Sequence, residues 1–180
     1  MEIAVVSDTH GNLEGLRQAV REILLRREIG LFIHLGDEYD DAQVFDEFAC
    51  EYLAVPGVYD RRYRDRTIAN RLLKEFEGWR FLVTHTDTSH ANDLPEGLRP
   101  EDLVANKQVD VVLYGHSHKP HAEAKNGVLF LNPGHLKAED KKGFRPSYAI
   151  VKISRSQVKA KIVALGTRKV LEEAVLARSP

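Results

Sequence analysis

A single cysteine, Cys50, in 180 residues excludes an intrachain disulfide and removes any thiolate cluster as a zinc site. Metal chemistry in this chain must therefore use nitrogen and oxygen donors. An excess of one charge is also missing: 26 Lys+Arg against 27 Asp+Glu leave a formal net charge of −1. No global positive field then favours nucleic acid or an anionic membrane as a partner. The amino terminus, Met1-Glu2-Ile3-Ala4-Val5-Val6, offers neither a basic n-region nor a long apolar stretch, so a soluble, cytoplasmic protein with no membrane partner is expected. Repeats, low-complexity tracts and dividing linkers are absent as well. What remains is one domain, residues 1–180, whose 43% hydrophobic composition lets it bury roughly 70% of the surface its unfolded form exposes.

What the chain does have is four short runs of metal-type ligands: Asp8-Thr9-His10, Gly36-Asp37, Thr84-His85 and Gly115-His116-Ser117-His118. Each follows an apolar, β-favouring run (3–6, 31–35, 79–83 and 110–114), so each is expected where a strand ends and a loop begins. Leu13, Leu16, Val20, Ile23 and Leu24 recur at helical spacing behind Asn12, a plausible cap. A second helix is expected over Ala42–Phe48 and a strand over Tyr52–Val55, an alternation that argues for a sheet with helices on its faces.

Leu72–Phe76 and Trp79–Val83 flank Glu77-Gly78, a short Gly-containing connection of hairpin type that delivers Thr84-His85. Residues 87–99 read as a polar loop and 101–108 as a helix. The last third is β-rich, with strands expected at 128–131, 148–153 and 158–165, and two packed sheets follow from that count. Residues 168–177 carry apolar residues at helical spacing and are expected to form a terminal helix or to fray.

The ligand pattern has a chemical logic. Two dications held close together repel, so a carboxylate at the end of a central strand is needed between them, and Asp37 is the candidate. Asp8 and His10 stand two residues apart, which in an extended segment points both side chains the same way; His116 and His118 share that spacing. Imidazole plus carboxylate suits Mn, Fe, Ni or Zn better than Ca or Mg. Paired ions of this kind activate water and clamp phosphate oxygens for in-line displacement at phosphorus. Each element also has a bland reading. Asp8-Thr9-His10 alone could simply cap the first helix. His34 reads as a core or supporting histidine. His90, His121 and His135 lie in polar stretches and are expected to face solvent, and the 61–66 charge run reads as a solvated face. The ordered combination is what points to metal.

The runs Val6-Ser7-Asp8-Thr9-His10-Gly11-Asn12, His34-Leu35-Gly36-Asp37, Gly115-His116-Ser117-His118 and Asn132-Pro133-Gly134 resemble those of the calcineurin-like metallophosphoesterases, in particular their small single-domain prokaryotic phosphodiesterase branch. The resemblance runs from Met1 to about Leu165 and leaves residues 166–180 as a C-terminal extension. It implies an α/β fold, a four-layer αββα sandwich of two mixed β-sheets flanked by helices, with the metal site at the C-terminal strand edge. It also implies Asp8, His10, Asp37 and His118 around one divalent ion and Asp37, His85 and His116 around a second.

One position departs from the family pattern. The family has Gly-Asn after its third strand, the Asn serving as a ligand of the second ion, whereas this chain reads Pro56-Gly57-Val58-Tyr59-Asp60. Val58 cannot coordinate anything. Tyr59 stands where many relatives have a His acting as general acid, and its reference pKa of about 10 makes it a poor proton donor. Asp60 matches the final acidic position and is a candidate substitute ligand. Asp87 and His135 are smaller departures.

Three readings follow: a metal-dependent phosphodiesterase or phosphomonoesterase acting on a small phosphoester; a binding scaffold that has shed catalysis, as the similar retromer scaffold subunit has; and an enzyme cleaving phosphonates or phosphate anhydrides. Sheet edges make a homodimer conceivable.

Overall fold

The computed structural model describes residues 1–25 and 28–178. In chain order the elements are β1 (Glu2–Val6), α1 (Leu13–Leu24), β2 (Leu31–His34), a 3₁₀ helix (Tyr39–Phe48), β3 (Tyr52–Ala54), a 3₁₀ turn (Arg61–Arg64), β4 (Arg71–Phe76), β5 (Trp79–Thr84) and α2 (Pro100–Ala105). They continue with β6 (Val111–Leu113), β7 (His121–Lys125), β8 (Val128–Asn132), β9 (Ser147–Ile153), β10 (Gln157–Ala164) and β11 (Val170–Ala177). Two mixed sheets result, a six-stranded one ordered β11-β10-β9-β1-β2-β3 and a five-stranded one ordered β4-β5-β6-β8-β7. The pairs β1–β2, β2–β3, β5–β6 and β6–β8 are parallel.

Strand alternation explains the layers. On β1, Ile3 and Val5 join the core between the sheets, where they meet Phe81, Val83, Leu113 and Leu131. Ala4 and Val6 point the other way, into a second core with Leu16, Val20 and Ile23 of α1 and Phe45 of the 3₁₀ helix. Successive residues of a strand face opposite sides, so a run that is apolar throughout must be covered on both faces. The five-stranded sheet is covered likewise by Leu103 of α2, packed in a cluster with Leu82 and Val112. Helix, sheet, sheet and helix thus stack in four layers. No helix among the described residues is long and apolar enough to cross a membrane.

Local chemistry sets the boundaries. The Asn12 side chain accepts a hydrogen bond from Gly15 N (3.2 Å) and donates another to the Leu136 carbonyl (2.7 Å), capping α1 and tying it to a distant loop. At the β4–β5 turn both Glu77 and Gly78 have positive φ, 52° and 80°, as a two-residue hairpin with right-handed strand twist requires.

One expectation fails. Residues 168–177 are not helical: Val170–Ala177 form β11, the edge strand paired antiparallel to β10. Leu171, Ala174 and Leu176 pack on the inter-sheet core, while Glu173 meets Lys161 at 2.9 Å and Lys159 at 3.5 Å. Pairing with β10 and that inner face override the intrinsic helical preference of Leu, Glu and Ala. Residues 179–180 of the expected extension lie outside the described residues. The structure also adds a strand for which the sequence analysis gives no expectation, β7. It pairs with β8 through Asn126-Gly127, at φ 52° and 80°.

Candidate metal centre

The carboxyl ends of β1, β2, β5 and β6 meet at one rim of the sandwich. The six-stranded sheet brings Asp8, His10 and Asp37 to it, and the five-stranded sheet brings His85, His116 and His118. Backbone bonds join these ends: Asp8 N donates to the Gly36 carbonyl (2.9 Å), His10 N to the Asp37 carbonyl (3.1 Å) and Gly115 N to the His85 carbonyl (3.0 Å). Five of the six candidates, Asp8, His10, Asp37, His116 and His118, have φ between 48° and 66°. Left-handed backbone is uncommon for residues with a side chain, and its clustering at one rim marks a site where geometry outweighs local strain. Asp8 and His10 therefore converge through left-handed turns, not through the extended segment that their spacing suggested.

The candidates fall into two groups that share Asp37. Donor atoms of Asp8, His10, Asp37 and His118 lie within 4.8 Å of one another, and so do those of Asp37, His85 and His116. The closest approaches are His10 Nε2 to His118 Nε2 (3.1 Å), His118 Nε2 to Asp8 Oδ1 (3.4 Å), His85 Nε2 to Asp37 Oδ1 (3.4 Å) and His10 Nε2 to Asp37 Oδ2 (3.5 Å). A Cβ at Gly57 would collide with the Asp37 carboxylate, and one at Gly115 with the Ser7 hydroxyl and the Asp8 carboxylate. Glycine at both positions is a condition of the close packing.

Outer hydrogen bonds aim the rings. His85 Nδ1–H donates to the Leu35 carbonyl (2.6 Å), leaving a lone pair on Nε2. His118 Nδ1–H donates to Asp140 Oδ1 (2.9 Å), which likewise turns Nε2 inward. Buried and without a hydrogen-bond partner are His85 Nε2 and His116 Nδ1. Unpartnered buried nitrogens are costly, and a cation between them would remove the cost. The donor set therefore fits divalent transition ions.

The electrostatics agree. Burial pushes the Asp37 carboxyl up to about 6 and the His116 ring down to about 4, and it lowers His10 as well. His118 moves upward, chiefly through its hydrogen bond to Asp8, with burial opposing and Asp140 adding to the rise.

His34 is a supporting residue. Its Nδ1 accepts from Gly36 N (3.2 Å), so its Nε2–H points to the Thr9 hydroxyl (3.1 Å), which donates onward to Asp41 Oδ2 (2.6 Å). Asp41 also accepts from Gly11 N (2.9 Å) and so clamps the loop bearing Asp8 and His10. Asn132 does the same for the other loop, donating to the Gly115 carbonyl (2.7 Å) and the Ser117 hydroxyl (3.0 Å).

Asp60, the candidate substitute ligand, is engaged within the protein. Its carboxylate is occupied by three backbone amides, those of Gly57 (2.7 Å), Glu38 (3.0 Å) and Tyr39 (3.1 Å). Val58 is buried, its carbonyl accepting from Asn92 Nδ2 (2.9 Å). Tyr59 is 72% exposed, its ring 5.5 Å from that of His90 and 6.2 Å from that of His116.

Two histidines expected in solvent are not there. His135 is buried, its ring 5.3 Å from that of His118 and its Nε2 donating to the Phe144 carbonyl (3.0 Å). His90 is half-buried with its ring 5.8 Å from that of His116. Asp140, missed in the sequence, stands in a charged loop whose composition reads as solvated surface; no local signal marks it as the partner of His118.

A strand-end rim with carboxylates and imidazoles shared between two sheets defines a phosphoesterase-type α/β sandwich. The chain belongs to the calcineurin-like phosphoesterases: the model of the calcineurin-like phosphoesterase superfamily domain matches residues 1–156. Among its relatives is the phosphodiesterase MJ0936 of Methanocaldococcus jannaschii, 28% identical over 148 residues, 74% of this chain and 83% of that protein. Two solved structures share the fold. The phosphoesterase Yfce from E. coli superposes with a TM-score of 0.72 at 22% identity, covering 98% of this chain and all of the other. Vacuolar Protein Sorting 29 from Cryptosporidium parvum gives 0.73 at 18% identity, covering 98% of each.

Proposed function

We propose that this protein is a metal-dependent phosphoesterase that hydrolyses small phosphodiesters at a dinuclear centre, with Asp8, His10, Asp37 and His118 holding one ion and Asp37, His85 and His116 the other. The observation that carries this reading is the pair of donor groups sharing one buried carboxylate, with imidazole nitrogens left unpartnered toward it. Bound there, two divalent ions polarise phosphoryl oxygens and acidify water for in-line attack at phosphorus. The chain's own part is to hold the ligands before substrate arrives: Asp140 and the Leu35 carbonyl fix two rings, and Asp41 and Asn132 fix the two loops. The phosphodiesterase name of the M. jannaschii relative supports the diester.

Val58, buried where the family places a ligating Asn, favours a second reading, a binding scaffold with a weakened second site. Hydrolysis of bis(4-nitrophenyl) phosphate by metal-stripped protein, titrated separately with Mn, Ni, Fe(II) and Zn, separates the two. Turnover that requires added metal supports the enzyme; full metal occupancy without turnover on any phosphoester supports the scaffold.

A further inference from the structure

The flank of the rim beside His85 and His116 is closed by the loop that follows β5 itself. Residues 87–98 follow β5 and fold back over this side, anchored by Asp93. Its carboxylate accepts from buried Arg71 Nη2 (2.8 Å), from His90 N (2.9 Å) and from the Tyr63 hydroxyl. Arg71 Nη1 holds the far end of the loop through the Leu98 carbonyl (2.8 Å). Asn92 then pins the loop to Val58 through that residue's carbonyl (2.9 Å). His90 is thereby fixed between Tyr59 and His116, at ring distances of 5.5 and 5.8 Å.

The tautomer of His90 follows from one bond. Its Nδ1 accepts from the backbone N–H of Asn92 (3.1 Å), so the proton of the neutral ring resides on Nε2. Nε2–H meets no hydrogen-bond partner among the described residues. A ring in this state has no lone pair on Nε2 to give a metal. While the Asn92 bond holds, it has no second proton to give a leaving group either. What it offers is a fixed N–H donor at the edge of an anion-binding rim whose neighbouring position, Val58, is apolar.

We propose that His90 is a substrate-positioning residue, a neutral imidazole whose Nε2–H hydrogen-bonds a non-bridging oxygen of the bound phosphoryl group. The proposal rests on the phosphoesterase reading above for the identity of the anion. Preorganised N–H donors toward phosphoryl oxygens act without reorganising during reaction, and those to charged acceptors are the stronger class of hydrogen bond.

The test compares wild type, His90→Ala and His90→Gln, the last restoring an N–H donor at similar reach. Inorganic phosphate is titrated into each Mn-loaded protein, with bound Mn counted. His90→Ala should bind phosphate about tenfold or more weakly, His90→Gln within about threefold of wild type, and all three should carry equal metal. Long-range proton–nitrogen spectra of the metal-free protein should report the Nε2–H tautomer. On phosphodiesters with good and poor leaving groups, His90→Ala should slow both alike. Unchanged phosphate affinity in His90→Ala, loss of Mn, or a defect confined to poor leaving groups would overturn the proposal, the last by making His90 a proton donor. If wild type turns over no phosphoester, the phosphoesterase reading fails by itself, and phosphate affinity still decides for or against His90.

Discussion

The two donor groups that share Asp37 differ in how the chain supports them. Around Asp8, His10 and His118 every ligand is braced: Asp140 holds His118, the His34–Thr9–Asp41 relay holds the first loop, and the His116 backbone amide caps the Asp8 carboxylate at 3.1 and 3.2 Å. Around His85 and His116 the support is thinner. The Leu35 carbonyl orients His85, but the Val58 side chain brings no donor atom and the Asp60 carboxylate is occupied by the backbone amides of Gly57, Glu38 and Tyr39. On the proposed function, one flank would hold its ion more tightly than the other, over which His90 and Tyr59 stand.

The sharpest way to break this comparison is to remove what both flanks share. Asp37→Asn should lower metal-dependent turnover by more than the roughly 100-fold typical of losing an outer partner, read as kcat/KM on a chromogenic diester, and should weaken both ions. A smaller change would mean that Asp37 does not join the two groups.

Acid should stress the braced flank through His34. Burial holds its ring at about 4, below its unfolded value, so the stability tied to its neutral form is present above about pH 6.5 and lost as pH falls toward 4. The fully buried ring corresponds to about 3 kcal/mol across that window. Urea unfolding of the metal-free protein at pH 5 and 7 should show this dependence, and His34→Gln should flatten it. His116, also held at about 4 but half-buried, should contribute less because solvent screens it.

Asp140→Asn should weaken the first ion by roughly 10–100-fold while leaving the second nearly unchanged, measured by competition with a chromophoric chelator. Equal loss at both sites would erase the distinction between flanks. The smallest effect sharpens it: Val58→Asn should tighten the second ion on the order of tenfold and leave the first alone.

Most of the frame was legible in the sequence because period and turn chemistry are local. Apolar runs ending in Asp8, Asp37, His85 and His116 marked the strands, and Glu77-Gly78 marked a hairpin. Asn126-Gly127 carries the same turn signal, but the His121–Lys125 segment before it contains none of the β-branched or large aromatic residues that mark a strand. β11 was hidden for a different reason: its Leu, Glu and Ala favour helix alone, and only the partner strand β10 makes it extended. Within the site, the candidate ligands are legible by type and spacing. Asp140, His135 and His90 are not, since their roles arise from contacts between loops far apart in the chain. Polar context suggested solvent for both histidines, while the fold packed them against His118 and His116.

The most direct test of the uneven centre is a calorimetric titration of metal-stripped protein with Mn, followed in parallel by diester hydrolysis. Two binding events per chain are predicted, a tight one lost in Asp8→Asn and a weaker one strengthened in Val58→Asn, with turnover rising along the weaker event. Two events of equal affinity indifferent to Val58→Asn, or turnover already complete after the first ion, would contradict the account.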